Sequence, residues 1–163
     1  MGAVKGPTAC VLIIGNEILS GRTKDVNLNF IASRLTELGI RLSEARVIPD
    51  IAEEIIETVN QCRAKYSYVF TTGGIGPTHD DITSKSIALA FNKKYCLHPQ
   101  AFKLLKEYYP KGEFNKARQR MAKMPEGVKL ILNPTSGAPG FAIGNVFCLP
   151  GVPSICLLYT SPS

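Results

Sequence analysis

The chain has 163 residues, ordinary proportions of apolar and charged side chains and a net charge of +6, which suits one domain over residues 1–163 with a core that needs neither disulfides nor a structural metal. Five scattered cysteines (Cys10, Cys62, Cys96, Cys148 and Cys156) include no Cys-x-x-Cys pair and leave an odd total, which argues against a zinc ribbon or a secreted disulfide framework and fits a reducing cytosol. The apolar run Ala9 to Ile14 is strand-sized and meets Gly15-Asn16-Glu17 at once, so neither a signal peptide nor a membrane span is expected.

Strand and helix patterns alternate along the chain. Ala9 to Gly15 reads as a buried strand, followed by a helix over Asn27 to Leu38 with Leu28, Ile31, Leu35 and Leu38 at helical spacing and Gly39 as its C′ residue. A second strand spans Leu42 to Ile48. Pro49-Asp50 then opens a helix from Ile51 to about Arg63, and Tyr68 to Thr72 forms a third strand. This repeated βαβ order predicts a three-layer α/β/α fold with a mainly parallel central sheet. Helices are expected over Ile82 to Phe91, Pro99 to Tyr109 and Asn115 to Ala122. Short strands are expected at Lys129 to Leu132, Gly140 to Ile143 and Val146 to Leu149, as hairpin-like additions at a sheet edge. The last stretch, 154–163, has no periodicity and reads as a truncated or non-native tail.

The third strand runs into Gly73-Gly74-Ile75-Gly76-Pro77-Thr78-His79-Asp80-Asp81. Glycines there let the backbone approach a bound group, and a helix beginning near Asp80 would aim unpaired N–H groups at the same space, so a phosphate is the natural guest. Two adjacent carboxylates would repel that guest unless a divalent cation lies between them. A simpler reading makes Thr78-x-x-Asp81 a helix capping box, yet three glycines and a doubled acid exceed what a cap requires. Ligand sites in such sheets lie beyond the carboxyl ends of the strands. Gly15-Asn16-Glu17, Asp50 and Thr72-Gly73-Gly74 all fall on that rim. His79 is a candidate general acid whose plainer reading is a solvated turn residue; Asn27 is either near the site or a helix cap.

Charge is uneven. Residues 1–84 carry a net −2 and residues 85–129 a net +8. The lysines and arginines of the second half are interleaved with Tyr108, Tyr109 and Phe114, but no nucleic-acid-binding motif accompanies them. A solvated basic face near an anionic small molecule is the better reading, and nucleic-acid binding is not expected.

Four ordered motifs then carry a family resemblance: Ile14-Gly15-Asn16-Glu17-Ile18-Leu19-Ser20-Gly21, Thr71 to Asp81, Asn133-Pro134 with Ala138-Pro139-Gly140-Phe141, and Leu149-Pro150-Gly151-Val152-Pro153. Together, over 9–153, they resemble the molybdopterin-binding-like domain of the MoaB/Mog proteins, of CinA and of some FAD synthases. The doubled acid is most similar to the CinA and FAD synthase branch. That resemblance implies a metal-dependent hydrolase of nucleotide pyrophosphates such as ADP-ribose or FAD, with Asp50, Asp80 and Asp81 catalytic and Asp80 and Asp81 holding Mg²⁺, Mn²⁺ or Co²⁺. Gly15, Asn16, Glu17, Thr72, Gly73, Gly74, Gly76, Pro77, Thr78, Pro139 and Gly140 would contact the nucleotide or pterin phosphate ligand. Asn16 departs from the usual Gly-Asp-Glu motif and brings no charge. Two alternatives stand beside this reading: a molybdopterin-binding or adenylyltransferase-type domain with molybdopterin as ligand, and a non-catalytic nucleotide-binding regulatory module. Related domains form trimers, so a homo-oligomer is compatible with the resemblance.

Overall fold

The computed structural model describes residues 6–133 and 137–150. Pro134, the segment Gly151-Val152-Pro153 and the expected irregular tail lie outside the described residues. In chain order the elements are β1 (Thr8–Ile14), α1 (Asn16–Leu19), α2 (Asn27–Glu37), β2 (Arg41–Ile48), α3 (Ala52–Lys65), β3 (Tyr68–Thr72), α4 (Thr83–Ala90), β4 (Tyr95–Leu97), α5 (Pro99–Tyr108), α6 (Lys116–Gln119), a 3-10 turn (Arg120–Ala122), β5 (Lys123–Pro125), β6 (Lys129–Ile131), β7 (Gly140–Ile143) and β8 (Val146–Leu149). A six-stranded sheet has the order β2-β1-β3-β8-β7-β6, and β4 and β5 form a separate two-stranded ribbon. Strands β2, β1, β3 and β8 pair in parallel, while β7 runs antiparallel to both its neighbours.

The period of two along β1 builds both cores. Cys10, Leu12 and Ile14 face one cluster with Ile55, Val59 and Cys62 of α3 and Ile87 of α4, while Ala9, Val11 and Ile13 face the other, with Ile31 and Leu35 of α2. Helices therefore cover both faces of the sheet, as the βαβ pattern predicts. Helix α2 ends as its sequence suggests: Gly39 has φ 76°, its N–H reaches Thr36 O at 3.1 Å, and Ile40 N–H reaches Leu35 O at 2.9 Å. That is a Schellman arrangement with Ile40 and Leu35 buried together.

Several expectations need correction. Val146–Leu149 is no edge addition, because β8 pairs with β3 inside the sheet and leaves β6 at the edge. The helix after the glycine turn starts at Thr83 rather than near Asp80. The expected Asn115–Ala122 helix splits into α6 and the 3-10 turn, whose exit into extended backbone at Lys123 starts β5. Asn27 does not cap α2; the Asp25 carboxylate accepts the Leu28 N–H at 2.9 Å instead.

One side chain seats β8 beside β3. Asn145, in the turn between β7 and β8, shares its side-chain amide protons among the carbonyls of Arg63, Tyr66 and Ser67 at 3.0, 3.1 and 3.2 Å, and its main-chain carbonyl accepts the Val69 N–H at 2.9 Å. The C-terminus of α3 and the start of β3 are thus tied to the last hairpin. Asn145→Ala strands those carbonyls and is expected to cost about 1–3 kcal/mol, read as a lower urea midpoint with an unchanged slope; an unchanged midpoint would dismiss this tie.

Candidate functional site

The site lies where the crossovers diverge. From β1 the chain reaches β2 on one side and, past β1 again, β3 on the other, so the carboxyl ends of β1 and β3 open a crevice between them. Gly15 continues the pairing of β1, its N–H donating to Ile48 O at 3.0 Å, and α1 begins at Asn16. Two hydrogen bonds cross this rim reciprocally: Asn16 N–H donates to Asp50 Oδ2 at 3.0 Å, and Asp50 N–H donates to Asn16 Oδ1 at 3.1 Å. Asparagine at position 16 thus has a definite role as an uncharged acceptor beside a carboxylate.

The glycine turn folds down onto β1 and α4. Gly73 has φ 88° and an added Cβ would fall 2.1 Å from Ile14 O; at Gly74, φ 71°, it would fall 1.9 Å from the Thr83 hydroxyl. Thr83, fully buried, donates its hydroxyl to Gly73 O at 3.1 Å and its N–H to Gly74 O at 3.1 Å. The glycines therefore have a packing role that stands whether or not a ligand binds. The first N–H of α4 is spent on the loop, and the turn before the helix is closed by Asp81, whose Oδ2 accepts both the N–H and the hydroxyl of Thr78 at 2.9 Å. Thr78-x-x-Asp81 does form a carboxylate-closed turn, but it precedes the helix instead of capping it.

Negative charge gathers around Asp50. Burial first, and then the charges of Glu17, Asp81 and Asp80, push the Asp50 carboxyl above its ordinary value, against the pull of the Asn16 N–H. Asp80 is mostly solvent-exposed, with His79 Nε2 3.4 Å from its Oδ1. Among the described residues no three His, Cys, Asp or Glu side chains are grouped so as to hold a metal ion. A closed protein cage is therefore not formed. A cation at Asp80 or Asp81 would have to take most of its ligands from phosphate and water, as Mg²⁺ can.

Two clefts flank the loop. One, of about 180 Å³, is lined by Glu17, Thr72, Gly73 and Asn27 among others; the Asn27 Oδ1 is buried and has no hydrogen-bond partner among the described residues. The other, of about 260 Å³, is lined by Gly74, Gly76 and Asp81 and by Lys85, Arg120 and Lys123 among others. Arg120 and Lys123 belong to the basic face that the sequence sets near an anionic small molecule, whereas Lys85 is not singled out by the sequence. Arg120 Nη2 donates to Pro77 O at 2.9 Å, fixing the ribbon lobe against the loop. Pro139 and Gly140 open β7, on the same edge of the sheet but two strands beyond β3, and neither lines these clefts. A Cβ on Gly140 would meet Cys148 O at 2.3 Å, which gives that glycine a packing role.

Comparison with known proteins follows this geometry. Residues 10–161 match the family model described as a probable molybdopterin binding domain. A protein of Aeropyrum pernix is 38% identical over 154 residues, covering 91% of this chain and 58% of its own length. A CinA-like protein of Citrifermentans bemidjiense is 38% identical over 149 residues, covering 88% and 36% respectively; this chain thus spans only part of these relatives. The crystal structure of the protein CinA, of unknown function, from Thermoplasma acidophilum superposes with a TM-score of 0.84 at 33% identity, covering 93% of this chain and 92% of that one. The tungsten cofactor synthesizing protein MoaB from Pyrococcus furiosus shares the fold, with a TM-score of 0.57 at 20% identity over 95% and 88% of the two chains. No helix among the described residues is long and apolar enough to cross a membrane.

The raised Asp50 value sets a pH dependence. A carboxyl whose folded pKa exceeds its unfolded one favours the folded state at acid pH, and that contribution is lost as pH rises through the folded value. Asp50→Asn keeps an acceptor for the Asn16 N–H and removes the charge, so it is expected to raise Tm by about 1–2 °C at pH 7 and to leave it unchanged near pH 3. Equal shifts at both pH values would mean that charge is not the cause.

Proposed function

Because the chain belongs to the molybdopterin-binding domain family and is CinA-like within it, we propose that the crevice beyond β1 and β3 binds the phosphate-bearing end of a pterin, with molybdopterin the leading ligand. The observation that carries this reading is the glycine turn, held open-faced between two clefts by contacts that leave no room for a side chain at Gly73 or Gly74. Backbone at such a turn approaches an anion without steric cost. The family description and the MoaB fold support a pterin phosphate over other anions. Binding is tested by titrating molybdopterin into the purified chain under anaerobic conditions. Gly76→Ala, whose Cβ would fall 2.6 Å from Asp81 Oδ2, is expected to weaken binding about tenfold or more at nearly unchanged Tm. No binding by the folded wild-type chain would reject the reading.

The acid cluster favours a second reading, metal-dependent hydrolysis of a nucleotide pyrophosphate such as ADP-ribose or FAD. When bound, a divalent cation polarises phosphoryl oxygens and acidifies its water. Asp80 and Asp81 would hold it; Asp81 keeps Oδ1 for this while Thr78 fixes Oδ2. Asp50, held by Asn16, would orient the attacking water or complete the cation's shell. AMP released from ADP-ribose or FAD only with Mg²⁺, Mn²⁺ or Co²⁺, and reduced about a hundredfold or more in Asp81→Asn, is the expected result on this reading. Turnover indifferent to metal or to Asp81→Asn would dismiss it, and ligand binding without turnover would leave the pterin or a regulatory nucleotide as the guest.

A further inference from the structure

Two thiols meet in the core away from the crevice. Cys10 of β1 and Cys62 of α3 are both fully buried, and their Sγ atoms stand 3.5 Å apart although 52 positions of chain separate them. A disulfide requires the sulfurs to come roughly 1.5 Å closer, an adjustment on the scale of side-chain rotation rather than of backbone movement. Among the described residues Cys96 and Cys148 have no sulfur within 4.0 Å. The two elements that carry the pair are already held in place beside it. Glu44 of β2 lies opposite Cys10 in the sheet and accepts from Arg46 at 2.8 Å and from the Tyr66 hydroxyl. Arg46 also donates to the side chain of Gln61, next to Cys62, at 2.9 Å. The chain between the two cysteines contains Gly15, Asn16, Glu17 and Asp50, the rim residues of β1 and β2.

We propose that Cys10 and Cys62 are an oxidation site, at which the two thiols join as an intramolecular disulfide that staples α3 to β1 when the surrounding thiol–disulfide balance becomes oxidising. The inference is independent of what the crevice binds. With a small-molecule disulfide as oxidant, the thiolate of one cysteine attacks it and expels one small thiol; the thiolate of the other then attacks the mixed disulfide and expels the second. Two electrons pass from the cysteine pair to the oxidant, and the two cysteine protons end on the two released thiols. Burial first, and then the neighbouring Cys62, push the Cys10 thiol above its ordinary value, so its thiolate is scarce in the folded chain. The bond therefore forms faster during folding, before α3 covers β1, than in the folded protein, and once formed it is shielded from outside thiols by the same burial. Closing so long a loop restricts the unfolded chain far more than the folded one.

Refolding of the full chain from urea in a mixture of reduced and oxidised glutathione, followed by alkylation of the remaining thiols and tryptic mapping, tests the bond directly. The expected product is a cross-link between peptides 6–22 and 47–63, which contain Cys10 and Cys62, with a Tm about 5 °C or more above that of the same protein refolded in reductant. Cys62→Ala is expected to lose both the cross-link and the redox-dependent shift in Tm. Cys148→Ala, which removes an equally buried thiol, is expected to keep both. The wild-type comparison decides by itself if either variant fails to fold. Alkylation of both Cys10 and Cys62 after oxidative refolding, cross-linking of either to a different cysteine, or a Cys10–Cys62 bond that leaves Tm unchanged, lowers it or prevents folding overturns the proposal.

Discussion

The close approach of Gly73 to the carbonyl of Ile14 is the constraint on which the site depends. It joins the ends of the two central strands, Ile14 being the last residue of β1 and Gly73 the first residue after β3. A side chain there would force β3 away from β1 at the rim. Thr83 completes the lock, because its hydroxyl and N–H satisfy the carbonyls of Gly73 and Gly74 in a place where water has little access. The turn is therefore rigid before any ligand arrives. Preorganised backbone of this kind binds without first having to be ordered.

That rigidity also explains how one sheet edge supports two opposite electrostatic environments. The reciprocal pairing of Asn16 and Asp50 bridges the ends of β1 and β2 and holds the Asp50 carboxylate close enough to Glu17, Asp80 and Asp81 for their charges to raise it. An aspartate at position 16 would add a further negative charge against Asp50 while offering the same acceptor. Asparagine keeps the bridge and spares the repulsion, so the departure from the usual Gly-Asp-Glu motif is compatible with an intact rim.

The βαβ half of the molecule was legible in the sequence because its signals are local and repeated. Six residues of β1 alternate between two cores, α2 stops at Gly39, and a run of glycines follows β3. The inserted lobe was not legible in the same way. Strands β4 and β5 have three residues each, too short for any period, and β5 contains Pro125, which argues against a strand on sequence grounds. Arg120 meets Pro77 across 43 positions of chain, a contact no spacing rule anticipates. The place of β8 was hidden for a related reason: the hydrogen bonds of Asn145 to the end of α3 select it, and a Gly-Asn pair between short strands announces only a turn.

The segregated charge of the chain acquires a structural meaning from this lobe. Its cations are covalently remote from the acidic rim, yet the bond from Arg120 to Pro77 folds them back onto the same glycine turn. Lys85, Arg120 and Lys123 line the same cleft as Asp81, so a guest there experiences both signs of charge. Attraction to these cations and repulsion from uncompensated acids then act together on an anion. A divalent cation at the acidic side would reverse the second effect and draw the ligand toward Asp50 and Asp80.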